Sequence, residues 1–490
     1  MNLHGKMNII STMKKLTLLV LLCFSAQSLG EGLPDLGDVS QTSLTPQQER
    51  QIGQQSMLQI RASKQYLDDP EINDYLNQIG NKLVENSPEP SLGFEFFAVN
   101  DYSVNAFALP GGFVGVNAGL LLVTESESEL ASVLSHEISH VTQHHLARMI
   151  EAQKGTGLIS MAAIAIAILA ARTSPQAAEA TIASVQAGNI QSQLNFTRTY
   201  EEEADRIGLQ LLQKSGYNVH AMPEFLERLQ KATRLEDGNA PNYMRTHPIT
   251  SDRIAEIENR VSKLPYTLIP DSLNFQLVRT KLIAGQKSSA DAVTYFNDAL
   301  GKQNFGNPIA QRYGLIFSLL RNHEVQRAVE ELAILRKQAL DNPMVRNNPM
   351  IEVLAGRVIK AENNDNASLT FYRSAVQNFP QYRALTYDYA DLLLQVDQPE
   401  AAIKMLNERI IDYPTDTKLY DLLAKAYSMQ GNAFEQHRAQ AYSYAWQGNL
   451  NAAIEQLEMA KRAGGSFYQL SAIESDLREL RNMVDSAGKP

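Results

Sequence analysis

Cysteine is nearly absent: Cys23 is the only one in 490 residues, and it sits in an N-terminal leader. A disulfide-stapled architecture is therefore excluded. Folding in an oxidising compartment is still allowed, because the chain past the leader has no thiol to cross-link. Membrane-length apolar runs are missing too. The longest in the body of the chain, GLISMAAIAIAILAA at 157–171, falls short of the ~20 residues that span a bilayer. It reads as a buried or hairpin helix, with peripheral contact to a membrane or a hydrophobic client as the alternative. Basic charge is in deficit, 44 Lys and Arg against 54 Asp and Glu for a net charge of −10. Nucleic acid is not an expected partner of such a chain.

The leader itself is legible in MKKLTLLVLLCFSAQSLG. Lys14 and Lys15 form a positive start, Leu16 to Phe24 an apolar centre, and Ala26-Gln27-Ser28 a small-residue cleavage site, which together make a cleaved secretory signal. The signal architecture begins at Met13. The body is too long for one ordinary core, and the expected organisation is a signal peptide at 1–28, a first folded domain at 29–262 and a repeat domain at 263–490. Within the second segment a helical pattern covers roughly residues 45–86. Alternating apolar residues in FEFFAVN and FVGVNAGLLLV predict short strands with turns at Asn100-Asp101 and Pro110-Gly111-Gly112. Thr124 and Ser126, each with a glutamate three residues on, signal the start of a helix, and Gly216 closes another that contains YEEEADRIGLQLLQKSG.

Beyond residue 263 the texture changes to helix pairs at fixed spacing. Small residues recur in the second helix of each pair at Ala328, Ala367, Ala402 and Ala453. The first intervals are close to the ~34-residue period of tetratricopeptide repeats. Stacked pairs of this kind form a solenoid with a concave binding face.

Four of the nine histidines crowd into SVLSHEISHVTQHH at 132–145. On an α-helix His136 and His140, four apart, project from nearly the same angle and can share one ion, with Glu137 beside it. A hydrolytic zinc site needs a third protein ligand and one open position. Glu201 is the candidate, because Asp205 follows one turn later and can accept the outer N–H of a ligand histidine. Glu202 and Glu203 read as surface acids. His144 and His145 extend the polar face of the helix, with a solvated or supporting role expected for His144. His220, His323 and His437 fall outside any constellation and are assigned structural roles.

The fragments His136-Glu137-x-x-His140, Glu201-x-x-Ala204-Asp205 and Thr246-His247-Pro248 occur in the order found in the HtpX/CAAX-prenyl-endopeptidase family of metallopeptidases. NAFALPGGFVGVNAGLL just upstream resembles that family's strand before the active-site helix. The resemblance implies a mainly α fold, in which an α+β zincin-like domain with a small sheet precedes the α-helical repeat solenoid. It implies zinc, one per subunit, on His136, His140 and Glu201, with Glu137 as the catalytic carboxylate. It also implies a Gram-negative periplasmic setting, unfolded or misassembled outer-membrane proteins as substrates, and an outer-membrane assembly machine as the partner of the repeats.

The expected chemistry is peptide hydrolysis in which Glu137 takes the proton of an attacking water and delivers it to the leaving amine. Substrate would lie extended against a strand spanning Ala106 to Val114. His247 exceeds the three ligands a catalytic zinc needs. Pro248 restricts its backbone to extended geometry, placing it on a loop, where it is either a structural histidine or a fourth ligand holding the protease off. The rival class is a non-proteolytic periplasmic chaperone or scaffold that uses the repeats and keeps the metal for structure. Glu137 beside both histidines argues against it, since a structural site needs no base. A zinc-independent structural protein is the remaining alternative.

Overall fold

A computed structural model describes residues 44–152, 190–235, 242–302, 306–340 and 342–487. The leader at 1–28 and the apolar segment at 157–171 lie outside the described residues.

The expected helical stretch at 45–86 is two helices, α1 (Pro46–Ala62) and α2 (Pro70–Val84). Pro70 has no N–H to continue a helix and instead opens one, and the Asp69 carboxylate accepts from the Glu71 and Ile72 amides to cap it. Strands β1 (Glu95–Val99), β2 (Ala106–Leu109) and β3 (Phe113–Asn117) form a sheet in the order β1-β3-β2, parallel between β1 and β3 and antiparallel between β2 and β3. Two expectations are corrected here. The strand pattern of FVGVNAGLLLV stops at Asn117, and Ala118–Val123 is a short helix, α3; an apolar run buried on all sides has no period to tell strand from helix. The proposed substrate strand from Ala106 to Val114 is broken by the turn at Gly111 and Gly112, both at positive φ. Only β2 lies on an edge, while Phe113 and Val114 belong to the central strand.

The two sheet edges are treated differently. Along β1, helix α2 lays down two asparagine side chains: Asn77 accepts from Phe96 N–H at 3.0 Å and donates to Phe96 C=O at 2.7 Å, and Asn73 accepts from Ala98 N–H at 2.8 Å. These amides stand in for a neighbouring strand, which closes that edge to pairing. Edge strand β2 instead packs against α4 (Glu127–Thr142), the helix that carries His136 to His140.

Helix α4 is N-capped by Ser126, whose hydroxyl accepts from Glu129 N–H, while the Glu129 carboxylate accepts from Glu125 N–H. It is buried from Ser128 to Ser139. Leu130, Val133, Leu134 and Ile138 supply the apolar contacts. Ser132, Ser135 and Ser139 satisfy their hydroxyls by donating back to carbonyls three or four residues earlier, so the helix buries polar side chains without orphaning them. After α4 come α5 (His145–Ala152), α6 (Ile190–Lys214), α7 (Ala221–Leu235), α8 (Asn242–Thr246) and α9 (Ser251–Val261).

The helix pairs follow as α10 (Leu273–Gln286), α11 (Ser289–Gly301), α12 (Pro308–Arg321), α13 (Val325–Leu340), α14 (Pro343–Arg346), α15 (Pro349–Ala361), α16 (Asp365–Asn378), α17 (Arg383–Gln395), α18 (Pro399–Asp412), α19 (Thr417–Met429), α20 (Ala433–Trp446), α21 (Leu450–Ala463) and α22 (Phe467–Ala487). Ala328, Ala402 and Ala453 are fully buried where the helices of a pair cross. Ala367 is exposed, and the buried small residue of that repeat is Ser368. The period is clearer in the backbone: His323, Asn363, Asp397, Gly431 and Gly448, each in a turn between consecutive helices, all have positive φ. Asn363, Asp397 and Gly431 follow one another at intervals of 34, so His323 has its structural role in such a turn. The apolar core of the sheet and α2–α9 continues without a break into the first helix pairs, as far as Val358.

Candidate metal centre

Helix α6 crosses α4 at a point where neither helix has bulk. Gly208 faces His136 so closely that a Cβ there would lie 3.1 Å from the His136 amide nitrogen, and Ala204 is fully buried beside it. This close approach brings Glu201 and Asp205, one turn apart on α6, against His136 and His140, one turn apart on α4. His247 arrives from the third side. It directly follows the short helix α8, with its N–H on Tyr243 C=O at 2.8 Å, and its ring stacks on Tyr243 at 4.8 Å. Pro248 places it outside a helix, on a loop as expected, and there it is buried.

The donor atoms converge. His136 Nε2 lies 3.0 Å from His140 Nε2, 3.3 Å from Glu201 Oε2 and 3.3 Å from His247 Nδ1. His140 Nε2 is 3.4 Å from Glu201 Oε1, and His247 Nδ1 is 3.0 Å from the same oxygen. Four ligands set tetrahedrally about 2.0–2.1 Å from a zinc ion stand ~3.3 Å apart; these separations are close to that value, and all four donors lie within 4.8 Å of one another, so the four side chains can hold a single cation. Glu137 Oε1 is 3.4 Å from His247 Nε2 and the residue is buried.

Charge points the same way. Glu137, Glu201 and Asp205 are all at least 95% buried, with exposures of 1%, 3% and 5%. Arg253 is the permanent cation among them: it grips Asp205 through Nε and Nη2 at 2.8 Å each and meets Glu201 Oε2 at 2.9 Å. Three carboxylates against one guanidinium leave two negative charges, which a divalent cation neutralises with the imidazoles uncharged. Burial disfavours charge on both Glu201 and Asp205. For Glu201 the facing histidines outweigh it, and for Asp205 the bond from His136 and the Arg253 charge do, so both stay below the usual carboxylate range. Burial also opposes a proton on His136, yet its bonds to Asp205 and Glu201 prevail and hold it near 10. The field at the centre thus favours positive charge. Burial lowers His140.

Each expected residue can now be placed. His136, His140, Glu201 and His247 meet at one point, and Asp205 Oδ1 lies 2.9 Å from His136 Nδ1, the nitrogen facing away from that point. His144 is elsewhere, in the left-handed region at φ 49, bridging Glu49 and Glu89 at 3.2 Å each. Burial and those carboxylates act in opposite senses on it, and the bond to Glu49 is the largest influence, so it is raised to about 9. Glu202 is exposed, as expected of a surface acid. Glu203 is not a chance acid: it binds His145 Nε2 at 3.3 Å and Arg148 at 2.8 Å. Sequence reasoning missed Arg253, Tyr243, His145 and Glu203. The one local signal was for Arg253: Thr250 accepts from Arg253 N–H as a helix cap, so TSDR after His247-Pro248 marks a helix start that puts an arginine on its first turn.

Residues 70–261 match peptidase family M48, and residues 358–426 match a tetratricopeptide repeat. The chain is 33% identical over 428 residues to the β-barrel assembly-enhancing protease of Escherichia coli (strain K12), covering 87% of this chain and 86% of that one. The chain belongs to peptidase family M48. A relative of the same description from Yersinia pestis is 33% identical over 423 residues, 86% of each chain. The mitochondrial metalloendopeptidase OMA1 of Schizosaccharomyces pombe is 31% identical over 184 residues, 38% of this chain and 51% of that one. This M48 chain is accordingly a metalloprotease, with a mainly helical fold, a three-stranded sheet and tetratricopeptide repeats behind it. Among the described residues no helix is long and apolar enough to cross a membrane.

Proposed function

We propose that this M48 protease is a periplasmic zinc endopeptidase that degrades misassembled outer-membrane β-barrel proteins and assists their assembly, with a cleaved leader at 1–28, a peptidase domain at 29–262 and a repeat domain at 263–490 that holds the assembly machinery or its clients. The convergence of His136, His140, Glu201 and His247 on one point, with Glu137 alongside, carries the reading. The printed description of its relatives supports the substrate class.

His136, His140 and Glu201 would hold one zinc ion per chain, with Asp205 keeping the proton of His136 on Nδ1 and its Nε2 lone pair inward. When bound, the ion supplies polarisation of the scissile carbonyl and a lowered pKa for the attacking water. Glu137 takes that water's proton and returns it to the leaving nitrogen. Substrate adds as a strand along β2, because β1 is closed by Asn73 and Asn77. His247 would act as a latch: its Nδ1, beside His136 Nε2, would be a further ligand to a bound ion while its Nε2 faces the Glu137 carboxylate, so one side-chain movement would open the site to water and release the base.

The test is digestion of an unfolded outer-membrane β-barrel protein by the purified chain, alongside metal analysis. Glu137→Gln should bind zinc and fold but not cleave; His136→Ala or Glu201→Ala should lose zinc. His247→Ala should raise basal or self-cleavage with zinc retained, and a fall to the Glu137→Gln level would make His247 a catalytic or substrate-orienting residue instead. The four-ligand closure also suits the second reading, a scaffold with a structural metal. Proteolysis by Glu137→Gln at the wild-type rate would sink the assignment of cleavage to this site, and no cleavage by wild type would favour the scaffold reading.

A further inference from the structure

His136 and His140 both present Nε2 to the centre, so each needs its proton on Nδ1. For His136 the partner at that nitrogen is Asp205. For His140 it is another imidazole: His145 Nδ1 lies 2.8 Å from His140 Nδ1, with the rings edge to face. A hydrogen bond between two ring nitrogens needs one donor and one acceptor. If His140 donates, the lone pair is on His145 Nδ1 and the His145 proton must be on Nε2, which faces Glu203 Oε2 at 3.3 Å. Each atom in the chain Glu203, His145, His140 then has one assignable role.

We propose that His145, backed by Glu203, is the positioning residue of His140, doing through an imidazole what Asp205 does for His136. This rests on the zinc reading above. The fold prepares the arrangement in three ways. Helix α4 ends with Gln143 and His144 N–H groups on Ser139 and Val141 carbonyls, and the left-handed His144 turns the chain so that His145 opens α5 beneath His140. Glu49 and Glu89 clamp that turn through His144. On its other face His145 is buried and stacks on Tyr200 at 4.6 Å, while Arg148 orders Glu203 from outside at 2.8 Å. The geometry calls for a neutral His145, because a protonated ring would present N–H to N–H.

Two substitutions separate acceptor from packing. His145→Phe keeps the stack on Tyr200 but cannot accept; His145→Asn loses the stack but places Oδ1 where Nδ1 was. Zinc affinity, measured by competition with a chromogenic chelator on the full chain, should fall ~10–100-fold in His145→Phe and stay close to wild type in His145→Asn. Glu203→Gln, which can still accept, should retain more affinity than Glu203→Ala. Wild-type affinity in His145→Phe, or an equal loss in both His145 variants, overturns the proposal while leaving the zinc reading intact. A wild-type chain that binds no zinc overturns both. Thermal unfolding of the metal-free variants identifies any that lose affinity by failing to fold.

Discussion

Two clusters of buried charge lie in this molecule, and they are built on opposite principles. At the junction between α2 and the repeats, buried and half-buried acids meet permanent cations: Lys281 lies between Asp69, at 2.6 Å, and Glu71; Arg357 pairs with Asp388 at 2.7 Å; and Arg383 joins Asp74 at 2.6 Å to Asp416 at 3.0 Å. At the metal centre two of the three buried acids, Glu201 and Asp205, share Arg253, Glu137 faces His247, and the remaining partners are imidazoles, which are neutral or charged according to what else is bound. The junction supplies its own positive charge and is a fastening. The centre leaves a charge for something else to supply, and that makes it a site.

The comparison can be broken at several points. The largest effect should come from Glu137→Gln: proteolysis of an unfolded β-barrel substrate falls by ~10²–10⁴-fold with zinc content unchanged, whereas no junction variant that folds should alter turnover on that scale. Next, Arg253→Met strips Asp205 and Glu201 of their permanent cation and should destabilise the metal-free chain by ~3–5 kcal/mol. Added zinc should recover part of this through preferential binding to the folded state, measured as a shift in denaturant midpoint. At the junction Lys281→Met, which leaves Glu71 facing a methionine, should cost about as much. There the remedy is the second substitution Glu71→Leu, and zinc should give no comparable rescue.

Smaller effects sharpen the picture. His144 is raised from 6.5 to about 9 by Glu49 and Glu89 despite burial. Its contribution, on the order of 1 kcal/mol after solvent screening, is fully present below pH 6.5 and disappears as pH rises through about 9. Stability curves of wild type and His144→Gln should therefore differ at pH 6 and converge above pH 9. The least effect is expected in a repeat turn. Asp397→Gly, at φ 57, relieves an unfavourable backbone angle at the expense of unfolded-state entropy, so stability should move by less than ~1 kcal/mol in either direction, with no effect on zinc.

How much of this could be read in advance follows from the reach of each interaction. The pairs His136 with His140 and Glu201 with Asp205 are one helical turn apart, so local geometry puts each pair on one face wherever the helix goes. His145 was misjudged because its use depends on a left-handed turn at His144, which helix periodicity does not encode. Glu203 looked like its exposed neighbour Glu202 until α6 was placed against α5. The register of the repeats was off by one at Ala367 because alanine occupies exposed and buried helix positions equally well.

The sequence by itself determined the local devices: a histidine pair with its glutamate, a second acidic pair, a proline beside His247, and helix pairs recurring at close to the tetratricopeptide period. Each is set by backbone geometry over a few residues. Only the tertiary structure decided which of the histidines meet, which acid is paired by Arg253, and which edge of the sheet is closed. Those outcomes depend on the crossing of α6 over α4 at Gly208 and on side chains meeting across 46 or more residues, as Glu201 and His247 do. Such contacts form because burying the apolar faces of the helices leaves the polar groups one another as partners.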